Sequence, residues 1–219
     1  MRTMLITGAT GGVGRKLVER YDDQHKYLVM GCGKRIGSDY CCDIRNSSSV
    51  QEMFREVGQV DILINVAGVA SMNSLLLAPV RTIADIVDIN LTGTIFMCQE
   101  AGKMMMAQGY GRIINISTVA VPLALAGEAV YVASKAGVEA LTRVLAKELY
   151  GYGITVNCVA PTIVDVGGLA SGVPEEKVRE LLEKTATKEP CNIEDIAKVI
   201  DFFIDSPRVT GQTVYIGGV

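Results

Sequence analysis

Tyr131 and Lys135 stand four residues apart in the run A-V-Y-V-A-S-K, and the apolar residues that follow, Val138, Leu141, Val144, Leu145 and Leu149, recur at helical spacing. Side chains four apart leave the same face of a helix, so the phenol and the ammonium are neighbours. A free tyrosine titrates at about 10. A fixed positive charge beside it favours the phenolate and brings the group toward exchanging a proton with an alcohol or carbonyl oxygen at neutral pH. Tyrosine and lysine at this spacing are also common as solvated helix neighbours, so the pair takes its meaning from its surroundings. Upstream, Arg112 to Ile116 reads as a strand that ends in two hydroxyl residues, Ser117 and Thr118.

Two further stretches place these groups. Thr3 to Thr7 (T-M-L-I-T) is a short apolar strand, followed by glycines at 8, 11, 12 and 14 and by helical spacing at Val13, Leu17 and Val18. A strand, a glycine turn and a helix start form a dinucleotide site: the backbone approaches a pyrophosphate, whose charge sits on the helix N-terminus. Asp61 to Val66 reads as another strand and feeds N-V-A-G, Asn65 to Gly68.

The glycine motif T-G-A-T-G-G-V-G (Thr7 to Gly14), N-V-A-G, a hydroxyl 13 residues before the tyrosine, and Y-V-A-S-K together resemble the short-chain dehydrogenase/reductase family, in order and over nearly the whole chain. The resemblance implies one α/β domain over residues 1–219, a doubly wound parallel seven-stranded sheet, and an NAD(P)(H)-dependent oxidoreductase that interconverts a carbonyl and an alcohol. It makes Tyr131 the acid/base, Lys135 the group that lowers its pKa and holds the ribose, and Thr118 the group that fixes the substrate oxygen. Asn90, in D-I-N-L-T-G, becomes the fourth catalytic residue, in a helix distorted so that a carbonyl can hold a relay water. For the cofactor it implies Gly8, Thr10, Gly11, Gly12, Val13 and Gly14 at the pyrophosphate. Asp43 and Ile44 then lie beside the adenine, Asn65, Ala67 and Gly68 at the ribose, and Pro161, Thr162 and Ile163 at the nicotinamide.

The departures from the family are as informative. Thr118 stands where relatives usually have serine; threonine keeps the hydroxyl donor and adds a methyl that restricts rotation. Ser117 could take over only if the strand end shifted by one residue, because alternate residues face opposite ways. Val66 replaces a second asparagine, and Thr162 replaces a glycine. The second strand, Tyr27 to Gly31, and the third, around Asp39 to Cys42, are joined by fewer than the dozen or so residues that a parallel crossover normally needs, so its helix is lost or reduced to a turn. Relatives commonly carry an acid at the end of strand two to bond the adenosine ribose. Gly33 stands there instead, followed by Lys34 and Arg35, whose charges suit a 2′-phosphate. NADP(H) is therefore expected over NAD(H), although Gly11 lacks the basic residue that NADP-using relatives often carry in the glycine loop.

The remaining segments read as follows. Ser47 to Ser49 open a helix with a capping box to Gln51 or Glu52. A long helical run spans Pro79 to Gln108, with Met97 and Met104 to Met106 as core or subunit contacts. Thr155 to Val159 and Thr213 to Ile216 are strands, Asp165 to Val173 a glycine-rich lid, Pro174 a helix start, and Asn192 with Asp195 a helix cap. In relatives the Asn90 to Gln108 and Tyr131 to Tyr150 helices pair between subunits, which implies a homotetramer or homodimer.

Composition narrows the partners. With 219 residues, 49% of them apolar, the chain suits one domain with a substantial core. A net charge of −3 without a basic stripe argues against nucleic acid. No apolar run reaches the 18 residues of a membrane span, and the start moves straight into a strand, so a cytoplasmic protein without membrane contact is expected. Six cysteines without C-x-x-C spacing read as buried thiols in a reducing compartment, and the lone His25 leaves no histidine triad or multi-histidine metal site. The substrate is a small carbonyl or alcohol, and its class stays open. The glycine motif and G-R-I-I-N-I-S look most like a 3-oxoacyl-(acyl carrier protein) reductase, yet Gly109, Tyr110 and Tyr152 stand where such enzymes show basic residues that grip the acidic carrier. The apolar loop Val119 to Glu128 suits an alcohol or hydroxysteroid-type dehydrogenase equally well. A non-catalytic redox sensor on the same fold is the competitor from another class.

Overall fold

The computed structural model describes residues 1–33, 38–165 and 175–219. Its strands are β1 (Arg2–Thr7), β2 (Tyr27–Gly33), β3 (Tyr40–Cys41), β4 (Ile62–Asn65), β5 (Gly111–Ile116), β6 (Ile154–Pro161) and β7 (Thr213–Ile216). They form one 7-stranded sheet in the order β3-β2-β1-β4-β5-β6-β7, and every neighbouring pair runs parallel. A parallel sheet is covered on both faces, so its central strands are continuous apolar runs in which alternate residues enter different cores. Leu5, Leu63, Ile113 and Val156 pack on one side against α2 (Ser47–Val57), α4 (Thr94–Gln108) and α6 (Ala129–Leu149). Met4, Ile6, Ile62, Ile64 and Ile114 pack on the other against α1 (Gly12–Asp22) and α8 (Ile193–Asp205). Each fully buried aliphatic side chain contributes about 1.5–3 kcal/mol.

The sheet order reverses between β1 and β4, and the strand ends there open the crevice where ligands of this architecture bind. Six residues, 34–39, join β2 to β3, which is too short for a crossover helix. Lys34 and Arg35 lie outside the described residues, as does most of the expected lid, 166–173, together with Pro174. Asp165 is described, and its N–H donates to the Cys191 carbonyl at 3.1 Å. The helix α7 follows as Glu175–Glu183.

The cap of α2 differs from expectation. Asn46, in extended backbone, caps it: its side chain accepts from the N–H groups of Ser48 and Ser49 at 2.9 and 3.3 Å, and no serine capping box forms. Asparagine ranks among the best N-caps, and here it precedes the serines by one residue. Asn192 and Asp195 do form the reciprocal box at the start of α8. The run expected from Pro79 to Gln108 divides into α3 (Val80–Val87), a π-helical segment Asp88–Gly93, and α4, and the short α5 (Ala120–Leu123) follows β5. Single π turns inside α-helices recur at functional sites. Gly93 at its end lets the segment pack closely on Ile44, because a Cβ there would lie 2.7 Å from that side chain. Cys32, Cys42, Cys98, Cys158 and Cys191 are buried, Cys41 is exposed, and all six are free thiols. No described helix is long and apolar enough to cross a membrane.

Candidate active site

A cavity of about 840 Å³ opens along the C-terminal ends of the strands. One end is the turn after β1, where Gly8, Thr10, Gly11, Gly12, Val13 and Gly14 all line the wall. Gly8 adopts φ +69°, and a Cβ at Gly14 would fall onto the Gly8 carbonyl oxygen, so side chains are excluded from both positions. The first turn of α1 has no side-chain cap, which leaves its N–H groups facing an incoming phosphate. Cys32, Gly33, Asp43 and Ile44 continue this wall, and Val66, Ala67 and Gly68 form its floor. Thr7 Oγ1 accepts from the N–H groups of Val66 and Ala67, each at 3.0 Å, and so ties the two strand ends together.

The other end holds the expected chemistry. Thr118, Tyr131 and Lys135 line it together, with Pro161, Thr162 and Ile163 on the opposite wall. Ser117 and Thr118, just past the end of β5, both border the cavity but bond differently. The Ser117 hydroxyl turns back and donates to Glu139 at 2.7 Å, whereas Thr118 accepts from the Ala120 N–H at 3.1 Å and also hydrogen-bonds Tyr131. Lys135 Nζ donates to the Ile116 carbonyl at 2.8 Å. Asn90, fully buried in the π segment, reaches across to Val69: its Oδ1 accepts from the Val69 N–H and its Nδ2 donates to the Val69 carbonyl, both at 2.8 Å. A Cβ on Gly68 would lie 3.3 Å from both Asn90 Oδ1 and Lys135 Nζ, so these two side chains meet at Gly68; Thr118, Tyr131 and Lys135 line the cavity, whereas Asn90 lies behind its wall.

Two expectations are corrected. The Asn65 side chain does not reach the cavity; it lies in the core, where its Nδ2 donates to Asn115 Oδ1 at 2.9 Å and to Cys98 Sγ at 3.3 Å. Its position ends β4 with the side chain facing α4, and Val66 takes the place at the wall. The second concerns charge. Tyr131 is pushed up to about 12, first by burial and then by the Glu128 carboxylate, with the Thr118 hydrogen bond acting the other way. Lys135 is itself pushed down to about 8 by burial. In the protein alone, burial and Glu128 set the direction for the phenol, and Lys135 does not lower it as expected.

The sequence reading missed several wall residues. Arg45 adjoins the Asp-Ile pair and grips Asp43 through Nε and Nη2 at 3.0 and 2.8 Å, while its Nη1 reaches Asp85 at 3.0 Å. Its place directly after Ile44 was the available signal. Met72, Leu125 and Leu181 give the catalytic end an apolar rim with Lys184 beside it, and they come from three separate loops and helices with no shared motif.

The residues fit a dinucleotide. The glycine cradle leaves room for backbone contact with phosphate, and Thr162 Oγ1 on the nicotinamide wall is buried without a partner in the protein.

Comparison with known proteins agrees. Residues 15–218 match the family model described as enoyl-(acyl carrier protein) reductase. A 3-oxoacyl-[acyl-carrier-protein] reductase of Staphylococcus epidermidis is 29% identical over 239 residues, covering 99% of this chain and 98% of that protein. The enzyme of the same name from Rickettsia bellii is 30% identical over 233 residues, covering 99% and 95%. A crystal structure from Agrobacterium tumefaciens, described as a proposed gluconate dehydrogenase, superposes with a TM-score of 0.89 at 27% identity, covering 99% of this chain and 94% of that one. The chain belongs to the short-chain dehydrogenase/reductase family and is an NAD(P)(H)-dependent oxidoreductase that interconverts a carbonyl and an alcohol.

Proposed function

We propose that the protein reduces the 3-oxo group of an apolar acyl compound with NADPH. The observation that carries this reading is the convergence of Thr118, Tyr131 and Lys135 on one wall of a cavity whose rim, Met72, Leu125 and Leu181, is apolar and whose far end is a phosphate cradle. The bound nicotinamide supplies the hydride. Thr118 donates to the substrate oxygen and fixes it beside Tyr131. Tyr131, protonated at neutral pH, gives its proton to that oxygen as charge develops there. Lys135 holds the ribose and, as a cation, stabilises the phenolate left behind. Asn90 keeps the π turn and the Val69 backbone in register with Lys135.

NADP(H) is preferred over NAD(H). The wall at the end of β2 holds Gly33 and the Thr10 hydroxyl, and a Cβ on Gly33 would lie 3.2 Å from Thr10 Oγ1, so no acid stands there. Asp39 turns its Oδ2 onto the Gly31 N–H at 2.6 Å instead. Lys34 and Arg35 supply the charge for a 2′-phosphate.

The acyl group need not arrive on an acidic carrier protein. Tyr110 lies between the Arg2 and Arg112 guanidiniums, 4.3 and 4.5 Å from its ring centre, and Gly109 caps α4. Neither residue is itself basic and Arg112 is buried, so the cation at this face is the exposed Arg2, held against the Tyr110 ring; this favours free thioesters over a carrier and, as a second reading, an alcohol dehydrogenase acting on an apolar molecule. Association through α4 and α6 accompanies this function: Ile95, Met106 and Val144 remain 39%, 38% and 52% exposed on those helices. Light scattering is expected to give a dimer or tetramer mass, and a monomer at micromolar concentration refutes it. The function itself is tested by NADPH oxidation with 3-oxoacyl N-acetylcysteamine thioesters, the carrier-linked forms, and apolar ketones. Turnover of the thioesters supports the reading; turnover of ketones alone transfers it to the second; no turnover on any of them removes it.

A further inference from the structure

Glu139 is a buried carboxylate for which neither the fold nor the reaction has yet given a reason. It lies on α6, one turn beyond Lys135 and two beyond Tyr131. Its Oε1 accepts from Ser117 Oγ at 2.7 Å and its Oε2 from the Tyr215 hydroxyl at 2.8 Å. Among the described residues no cation pairs with it, and it does not line the cavity. Burying a carboxylate on hydroxyl partners alone is costly, so such a group is retained where it fixes something.

What it fixes is the end of β5. Lys135 Nζ is held by the Ile116 carbonyl, and Thr118 faces Tyr131, so Ser117 sits between the lysine's acceptor and the substrate-facing hydroxyl. Below them Asn115 Nδ2 donates to Thr142 Oγ1 at 2.9 Å. Residues 115, 116, 117 and 118 of one strand end are thus tied to residues 142, 135, 139 and 131 of one helix face. The Glu139 contact also reaches a third element, β7, through Tyr215, as the Asn115 contact reaches β4 through Asn65.

We propose that Glu139 is a positioning residue for the reaction: by clamping Ser117 it sets the register of α6 on the end of β5 and so places Thr118 and Lys135 around Tyr131. The role rests on the catalytic reading given above. Ser117 borders the cavity, but its hydroxyl proton is thereby committed to Glu139, which leaves Thr118 as the donor to the substrate.

Glu139→Gln keeps an oxygen for Ser117, Glu139→Leu removes it at similar volume, and Ser117→Ala removes the donor. Steady-state rates with NADPH and a thioester turned over by the wild type are expected to show kcat lowered at least about tenfold in Glu139→Leu and Ser117→Ala, with KM for NADPH changed less than about twofold. Glu139→Gln keeps kcat within about threefold of wild type, and the double variant Glu139→Leu/Ser117→Ala is no worse than either single one. Unchanged kcat in Ser117→Ala, a glutamine variant as impaired as the leucine one, or additive losses would each overturn the proposal. Ser117→Ala carries the test if Glu139→Leu does not fold. Hydrogen exchange separates this claim from the function. The Ser117 and Val119 amides, bonded to the carbonyls of Val159 and Pro161, exchange faster in Ser117→Ala and Glu139→Leu than in Glu139→Gln if the clamp exists, whatever the substrate. Equal exchange in all variants contradicts it.

Discussion

At the catalytic end of the cleft, residues 115 to 118 at the end of β5 are each tied to α6 by a polar contact. At the adenosine end the wall is made by Cys32 and Gly33 of β2 and by Asp43, Ile44 and Arg45 beyond β3. The first end stores its geometry in contacts between a central strand and a 21-residue helix, distant in sequence and buried on all sides. The second is assembled at a sheet edge, from a two-residue strand and a partly exposed arginine, Arg45, that grips Asp43 two residues before it and Asp85 40 residues on. The difference teaches where change is tolerated. A catalytic geometry held by four long-range contacts can accept threonine for serine, whereas cofactor preference rests on a few replaceable groups at an edge.

The comparison is most exposed to failure at Lys135, whose burial is the strongest electrostatic statement about the catalytic end. Its ordinary value of 10.5 falls to about 8 in the fold. Between those pH values the unfolded chain holds the extra proton, so stability rises with pH. Relative to Lys135→Met, the wild type should gain on the order of 3 kcal/mol of unfolding free energy between pH 7 and pH 11. Chemical denaturation across that range reads the difference directly, and a flat difference means that the ammonium is not buried as described.

Thr118 comes next. Thr118→Val keeps the shape and removes the donor, which should lower kcat/KM by about 10- to 100-fold, while Thr118→Ser keeps or improves the rate. Equal rates in wild type and both variants would mean that no hydroxyl of this strand end serves the substrate.

The smallest effect belongs to the adenosine end. Lys34→Ala/Arg35→Ala should weaken NADPH by about tenfold in kcat/KM and leave NADH nearly unchanged, as removal of charge-assisted contacts to one phosphate implies. A wild type that prefers NADH, or a double variant with unaltered NADPH kinetics, would show that neither cation meets the cofactor.

Legibility in the sequence follows the same division. The strand and helix alternation and the parallel sheet were readable, because apolar period and motif spacing report elements that are long and buried; the distortion at Asn90 came from the family resemblance, since the apolar period there read as one unbroken helix. Thr118 rather than Ser117 was the expected hydroxyl because it stands 13 residues before Tyr131, where the family resemblance puts that group. Asn65 was misread because the same motif residue can face the cofactor or the core, and the partner that decides, Asn115, lies 50 residues away. Arg45 was missed because its role depends on Asp85, 40 residues on, across the cleft. The sign of the Tyr131 shift was missed because spacing shows a neighbouring charge and says nothing of burial.

The central claim is that Tyr131 transfers the proton. Tyr131→Phe keeps the buried ring and deletes the hydroxyl. With NADPH and the thioester that the wild type reduces best, kcat should fall at least about a hundredfold, while NADPH titrated by fluorescence binds with unchanged affinity. A phenylalanine variant that turns over at the wild-type rate would contradict the account.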